Sequence, residues 1–237
     1  MHSSVSDIIR NQGLFKSSCE MQTVPESTES VAKNADAELK TYSVYSTKWQ
    51  FNLRIHDQHG APLYFVENST WTPHKPDVTL HAGTENTGPV LGVAKFAVSS
   101  DITVGLGDLN VNNGLDMIWE AVTKKSIIKH SEYEWSMDLP SSRERRTFIW
   151  KRTHHFGLED ESSSATAALT NFKLLDALTG EIVANFARNG TSWRKRVGKF
   201  VIRADYGEEW ELMVLLTALA IIEKVRRVIR YTTDPSV

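Results

Sequence analysis

The sequence lacks several features that would fix the class of a small protein. Its single cysteine among 237 residues, Cys19, excludes an intrachain disulfide and suits a reducing compartment. The formal net charge of −2 provides no overall field toward nucleic acid or an acidic membrane, so binding to either would need a local patch. The first fifteen residues lack the charged start and apolar run of a secretory signal, and we expect a cytoplasmic protein.

No long hydrophobic run is present, but a shorter one near the end of the chain is informative. Residues 212–222 carry no charge and are apolar on every side of a helix, which predicts that protein or lipid encloses them. Eleven residues are far fewer than the roughly 20 that cross a bilayer, so we expect a protein container and no transmembrane span. Acidic residues precede the run and Arg226, Arg227 and Arg230 follow it, as the dipole of a helix over about 208–230 favours. We expect the arginine-rich end to project into water.

The segment before this helix alternates apolar and polar residues with period two. Tyr133, Trp135 and Met137 alternate with glutamates and a serine, and residues 51–56 alternate in the same way from Phe51 onward. Turn residues such as those at 57–60 separate about twelve such strands, a spacing typical of antiparallel folds. Since closing a sheet of this size leaves an interior too wide for side chains alone, the helix is predicted to fill it.

These patterns predict a mainly β (α+β) protein, a closed antiparallel barrel of about twelve strands around a central C-terminal helix. Residues 1–40 are polar apart from a few apolar positions near the start, and we expect a flexible tail that precedes a barrel domain over 41–237.

Local phrases in the chain add a resemblance to a known family. Residues 53–57, 148–154 and 206–208, followed by the 212–222 helix, resemble small fungal members of the Tubby C-terminal-like superfamily, which includes tubby proteins, phospholipid scramblases and plant LURP-one-related proteins. The resemblance covers about residues 41–230 and implies a closed barrel threaded by a hydrophobic helix. Tubby proteins bind phosphoinositide headgroups through surface Lys and Arg, and scramblase-like members are associated with membranes and calcium. The sequence has no acidic calcium-binding loop.

Two basic clusters are the candidate binding residues, because guanidinium and ammonium groups match phosphate oxygens. The resulting hypothesis is a non-catalytic module whose basic rim binds an acidic lipid headgroup or a protein partner, with peripheral contact to a membrane. Nucleic acid is disfavoured by the near-neutral charge and the absence of a recognised motif. One cluster follows the start and course of a strand, and the other lies in the turn before the last strand: Arg143, Arg145, Arg146, Lys151 and Arg152, and Arg194, Lys195, Arg196 and Lys199.

The alternative hypothesis is an enzyme, and whether the protein is catalytic stays open at this point. A cyclase or isomerase of fungal specialised metabolism could enclose a hydrophobic small molecule at one barrel end without a recognisable motif. Its candidate residues are His154, Glu132 and His130. The adjacent His154 and His155 would point to opposite faces of a strand. His130 and Glu132 would share one face, but no third ligand is apparent, so we predict neither a metal site nor a cofactor.

Overall fold

The fold is a barrel of twelve strands that surrounds one long helix. The structure, a computed structural model, describes residues 39–47, 51–70, 72, 74–97, 101–125, 131–153, 171–188 and 196–233. The strands are β1 (Lys40–Ser46), β2 (Leu53–His56), β3 (Pro62–Asn68), β4 (Val78–Ala82), β5 (Val90–Phe96), β6 (Ile102–Leu106), β7 (Ile118–Lys124), β8 (Glu132–Asp138), β9 (Arg145–Arg152), β10 (Phe172–Asp176), β11 (Ile182–Arg188) and β12 (Arg196–Ile202). The helix α1 spans Glu208–Thr233, and a short 3-10 turn occupies Asn112–Gly114.

Each strand pairs with its sequence neighbours, and β1 closes the circle by pairing with β12. All the pairings are antiparallel, so successive strands run in opposite directions and every connection joins neighbours at one end of the barrel. The predicted closed antiparallel barrel of about twelve strands is therefore confirmed.

Alternation along the strands separates the core from the outer wall. On β8, Tyr133, Trp135 and Met137 are buried, while the intervening residues are half-buried or exposed. The inner residues Phe148 and Trp150 of β9 stand opposite Trp135 and Tyr133 in register, and both are fully buried. The barrel wall is thus built by the period-two pattern that the sequence displays.

The helix α1 occupies the interior, and every residue from 212 to 222 is buried. Burying each large apolar side chain contributes roughly 1.5–3 kcal/mol, so this run is a main source of stability. The run contains one polar side chain, Thr217, whose hydroxyl accepts a hydrogen bond from Trp150 Nε1 at 2.9 Å and donates one to the carbonyl of Val214. The polar atom is therefore accommodated without an unsatisfied group.

The helix does not lie on the barrel axis. Its backbone approaches β4, β5 and β6 most closely, and a Cβ atom added to Gly92 of β5 would stand 2.9 Å from Leu216 Cδ2. Large aromatic side chains on β8 and β9, farther around the wall, also pack into the interior, among them Trp135, Trp150 and Phe148, which are at most 1% exposed. The glycine at position 92 permits the close approach of the helix on this side.

Two local features differ from the sequence-based expectation. Phe51 is not part of the alternating strand but lies in the turn before β2, with a φ of 60°. Strand β4 has no alternation because all five of its residues are buried, and the period-two pattern does not reveal it. No helix in the described part of the chain combines the length and apolarity that crossing a membrane requires.

Candidate functional site

The two ends of the barrel carry opposite charge. We define the acidic end as the one where α1 begins, marked by the 2.7 Å ion pair between Lys40 Nζ and Glu211. The basic end is the one where α1 finishes, marked by the contact between Arg227 and Asp77. A residue is assigned to the end nearer to it along its own element or connection. Lys199 is left unassigned because it stands at mid-strand, and so is Arg54, because it lies near mid-strand and its Nε donates to the Thr84 carbonyl oxygen at the acidic end.

Among the described residues, the basic end holds thirteen Lys and Arg and six Asp and Glu, whereas the acidic end holds five bases and thirteen acids. The basic end contains Lys75, Lys95, Lys124, Lys125, Lys151, Arg152, Lys173, Arg188, Arg196, Lys224, Arg226, Arg227 and Arg230, with Glu67, Asp77, Asp101, Glu132, Glu134 and Glu223. The acidic end contains Asp57, Glu85, Asp108, Asp116, Glu120, Asp138, Glu144, Asp176, Glu181, Asp205, Glu208, Glu209 and Glu211, with Lys40, Arg143, Arg145, Arg146 and Arg203.

This division is more than the charge pattern that stabilises a helix. Acidic first turns and basic last turns are favoured by the helix dipole, and α1 has both. Without α1, however, the described strands and connections still place nine bases against five acids at the basic end, and ten acids against five bases at the acidic end. The wall of the barrel is therefore polarised independently of the helix.

The first predicted cluster is divided between the two ends. Arg143, Arg145 and Arg146 lie at the acidic end, whereas Lys151 and Arg152 lie at the basic end, because β9 runs the length of the barrel. Arg145 binds both carboxylate oxygens of Glu120, at 2.7 and 3.0 Å, and lies 3.5 Å from Asp138. Arg143 is exposed in the turn before β9.

Arg146 belongs to a partly buried network around Asp176. Its guanidinium donates to Asp176 at 2.9 Å and to Glu144 at 3.0 Å, and it lies 5.7 Å from the ring centroid of Tyr206. These carboxylates raise the pKa of Arg146. Burial opposes ionisation of Asp176, but hydrogen bonds from the Leu178 amide, Arg146 and Tyr206 lower its pKa overall. Arg146 therefore links the turn before β9 to the end of β10.

The predicted catalytic residue Glu132 lies on the outer wall. Its carboxylate forms a 2.7 Å ion pair with Lys151, which stands directly opposite it in register on β9. The other catalytic candidates, His130 and His154, lie outside the described residues. Arg152 follows Lys151 in the inward-facing register, and burial lowers its pKa.

The structure describes two residues of the second predicted cluster. Arg196 begins β12 at the basic end, opposite Tyr45, and Lys199 stands at mid-strand between Ser43 and Ala187. Arg194 and Lys195 lie outside the described residues.

The last turns of α1 supply further cations that the sequence analysis placed in water. Arg226 is 7% exposed, and its guanidinium binds Glu223 through Nε at 2.6 Å and through Nη2 at 2.5 Å. Arg227 also binds Glu223, and it reaches Asp77 at 2.5 Å. The guanidinium carbons of Arg226 and Arg230 lie 4.3 and 3.6 Å from the ring centroid of Phe51. The expectation of a solvated arginine end was wrong for Arg226.

The carboxylate of Glu211 organises the acidic end. Glu211 is buried, accepts a hydrogen bond from the Tyr42 hydroxyl and pairs with Lys40. Burial, with the Glu211 charge second, raises the pKa of Tyr42, and the same two causes raise the pKa of Tyr64. Both phenols therefore remain protonated across the physiological range, and Tyr42 donates to Glu211.

Histidine does not create a metal centre in the described residues. His81 is buried, its Nδ1 lies 3.0 Å from the Gly88 carbonyl oxygen, and its Nε2 lies 3.8 Å from Glu67. Within the residues that the structure describes, no three His, Cys, Asp or Glu side chains come close enough together to hold an ion.

Comparison with known proteins gives a limited result. No protein-family model matches the chain, and no curated protein matches it. Among solved structures, the chain is similar to a protein from Arabidopsis thaliana with a TM-score of 0.46 and 14% sequence identity, over 79% of this chain and 91% of that one. This likeness is too distant to support an argument about function.

Proposed function

We propose that the protein is a binding module whose basic end contacts an anionic phospholipid surface. The carrying observation is the division of charge, with thirteen described bases against six acids at the basic end and thirteen described acids against five bases at the acidic end. An anionic membrane attracts the basic end and repels the acidic end. The barrel axis would therefore lie roughly perpendicular to the membrane, with the basic end in contact with it. A base near such a surface contributes about 1 kcal/mol, and several of them suffice for reversible attachment.

Screening by salt limits the attraction to charges that lie close to the surface. Because the Debye length is about 8 Å at physiological ionic strength, only charges at this end would act on a surface that it touches.

The packing of the interior supports binding rather than catalysis. Helix α1 and the aromatic side chains fill the barrel, and the described catalytic candidate Glu132 is paired with Lys151 on the outer wall. The division of charge, in contrast, needs no cavity, and it persists among the described residues when the buried Arg188, Arg226, Glu223, Asp176 and Glu211 are left out. We therefore do not propose the enzyme alternative.

Vesicle sedimentation tests the proposal. The full chain is mixed with phosphatidylcholine vesicles that contain phosphatidylserine, and with pure phosphatidylcholine vesicles, at low and at physiological salt. We expect binding to the first alone, weakened by salt. The double variant Lys125→Glu with Lys173→Glu removes one exposed and one half-buried base from the basic end. Because each base contributes about 1 kcal/mol, the partition coefficient should fall by roughly thirtyfold or more.

A charge-matched control separates local from global effects. Arg143→Glu with Arg203→Glu makes the same change in net charge at exposed positions of the acidic end. The proposal requires this variant to bind as the parent does. Equal loss in both variants would reduce the effect to net charge, and no binding at low salt would reject a lipid ligand in favour of an acidic protein partner.

A further inference from the structure

The connection between β6 and β7 is the longest one at the acidic end. It spans residues 107–117, eleven residues, whereas the other five connections at this end contain five to seven. All six connections are among the described residues. Connections between neighbouring strands usually have about two to five residues, and longer ordered ones often carry a function. We call residues 107–118 the β6–β7 loop, because Ile118, the first residue of β7, continues its exposed surface.

Internal hydrogen bonds give the β6–β7 loop a defined shape. The Gly114 amide donates to the Val111 carbonyl oxygen at 2.8 Å, and the side-chain amide of Asn112 donates to Asp116 at 2.7 Å. The indole Nε1 of Trp119 donates to the Gly114 carbonyl oxygen at 3.3 Å, which ties the loop to β7. These bonds fix the direction in which the loop presents its side chains.

The backbone at the centre of the loop adopts an uncommon conformation. Asn112 and Asn113 have φ angles of 45° and 53°, in the left-handed region that residues other than glycine seldom adopt. Gly114 follows with a φ of 74°, and a Cβ atom there would stand 3.2 Å from both Leu109 Cδ2 and Met117 Sδ. Conformations of this kind persist where the surrounding structure enforces them, and they are concentrated at functional segments. The turn therefore indicates a role beyond joining two strands.

The β6–β7 loop presents apolar side chains to solvent. Leu115 is 83% exposed and Val111 is 43% exposed, and these two residues flank the turn at 112–114. Among the described residues, eight large apolar side chains are exposed; six of them lie at the acidic end, and three of those six belong to the loop. Grouped apolar side chains on a surface mark sites of interaction with proteins or membranes.

The charge around these side chains selects the partner. The loop contains Asp108 and Asp116 and no Lys or Arg, and it lies at the acidic end of the barrel. This charge repels an anionic membrane and the acidic end of a second copy. The basic end of a second copy has the complementary charge, but its described residues include only two exposed large apolar side chains, Phe51 and Val228, and the guanidinium of Arg230 lies over the Phe51 ring. The complementary occupant is therefore a different protein.

We propose that the β6–β7 loop docks a protein partner that presents apolar side chains surrounded by Lys and Arg. Val111, Leu115 and Ile118 supply the apolar contact, and Asp108 and Asp116 attract the basic residues around it. Because the loop is ordered before binding, it loses little conformational entropy in the complex. This docking does not depend on the proposed membrane contact, because the two use opposite ends of the barrel.

A synthetic helix of leucine and lysine, with its leucines on one face, serves as a minimal mimic of such a partner. Two matched peptides replace every leucine by serine or every lysine by glutamate. The isotope-labelled full chain is titrated with each peptide at physiological salt, and backbone amide shifts are followed. We expect only the leucine–lysine peptide to bind, with shifts concentrated in residues 107–118. No binding, equal binding of the serine peptide, or shifts concentrated at the basic end would overturn the proposal.

Two double variants separate the loop from the rest of the acidic end. Val111→Ser with Leu115→Ser should weaken peptide binding by roughly tenfold or more, because two apolar contacts are lost. Leu178→Ser with Ile182→Ser removes side chains of similar exposure, 71% and 42%, from the connection and first residue of β11 at the same end. This control should bind the peptide as the parent does. Equal loss in both variants would overturn the assignment to the loop.

Gly114→Ala tests whether the shape of the loop matters. Alanine disfavours a φ of 74°, and its Cβ atom would crowd Leu109 and Met117. Peptide affinity should fall severalfold although Val111 and Leu115 remain, while amide signals of the strands away from the loop stay in place. Unchanged affinity would contradict docking by an ordered loop. Concentration-dependent sedimentation of the parent chain alone, abolished by the serine substitutions at 111 and 115, would assign the occupant to a second copy and overturn the proposal equally.

Discussion

The two ends of α1 each contain a buried carboxylate, but the two carboxylates have different hydrogen-bond and ion-pair partners. At the acidic end, Glu211 receives a hydrogen bond from the neutral Tyr42 and pairs with the partly exposed Lys40. At the basic end, Glu223 holds two guanidiniums, those of Arg226 and Arg227, with exposed fractions of 5% for Glu223 and 8% for Arg226. The difference is one of balance: Glu211 is shared by one neutral donor and one cation, whereas Glu223 pairs with two cations, of which Arg227 also binds Asp77.

The largest expected effect follows from removing the Glu223 carboxylate. Glu223→Gln removes the counter-charge of the buried Arg226 and one of the ion pairs of the half-buried Arg227. We therefore expect a loss of about 3–5 kcal/mol in the free energy of unfolding. Urea denaturation would measure it. Glu209→Gln, near the other end of the same helix, should cost no more than about 1 kcal/mol, through the helix dipole alone. Equal losses would remove the distinction between the ends.

A second test concerns Asp176, the fully buried carboxylate of the acidic end. Asp176→Asn weakens the hydrogen bonds from Arg146 and Tyr206, and we expect a loss of about 1.5–3 kcal/mol at pH 7.

The pH dependence has a definite sign. Because the folded pKa of Asp176 lies below its ordinary value of 3.8, its contribution is complete above that pH and is lost as the pH falls through the folded value. The difference between parent and variant in unfolding free energy should therefore be constant from pH 5 to 7 and should shrink below pH 4. A difference that grows in acid would contradict this assignment.

Tyr42 provides a smaller effect with the opposite pH dependence. Tyr42→Phe removes the hydrogen bond to Glu211 but leaves Lys40 in place, so we expect a loss near 1.5 kcal/mol at pH 7. The raised pKa means that the phenol contributes fully below its ordinary pKa of 10.0 and loses that contribution as the pH rises above it. Unfolding followed between pH 8 and 12 should show a shallower alkaline decline in the variant than in the parent.

The sequence predicts the fold because two strong patterns depend on each other. A helix that is apolar all round needs a container, and the alternation of Tyr133, Trp135 and Met137 with polar residues predicts a wall with one inner face. Strand β4 does not follow this pattern, since His81 and Thr79 are buried along with its apolar residues. Phe51 fits the alternation but lies in a turn, where it contacts Arg226 and Arg230.

The candidate site is less predictable because distance along a strand is easily underestimated. Arg146 and Lys151 are close in sequence, but β9 rises by about 3.4 Å per residue and carries them toward opposite ends of the barrel. The arginines of α1 are far in sequence from Lys151 and Arg196, and only the folding of the chain brings them to the same end of the barrel. The partners that neutralise Arg145 also come from β7 and β8, and periodicity does not identify them.

The smallest expected effect on stability separates structural from binding charges. Lys151→Gln at the basic end breaks an exposed pair with Glu132 and should change the unfolding free energy by no more than about 1 kcal/mol. If the basic end meets an anionic membrane, the same substitution should lower partitioning into phosphatidylserine vesicles roughly fivefold, because one base near the surface contributes about 1 kcal/mol. Arg143→Gln at the exposed turn of the acidic end should alter neither quantity. Equal vesicle binding by both variants would contradict the proposal that the basic end is the part of the barrel that contacts membranes.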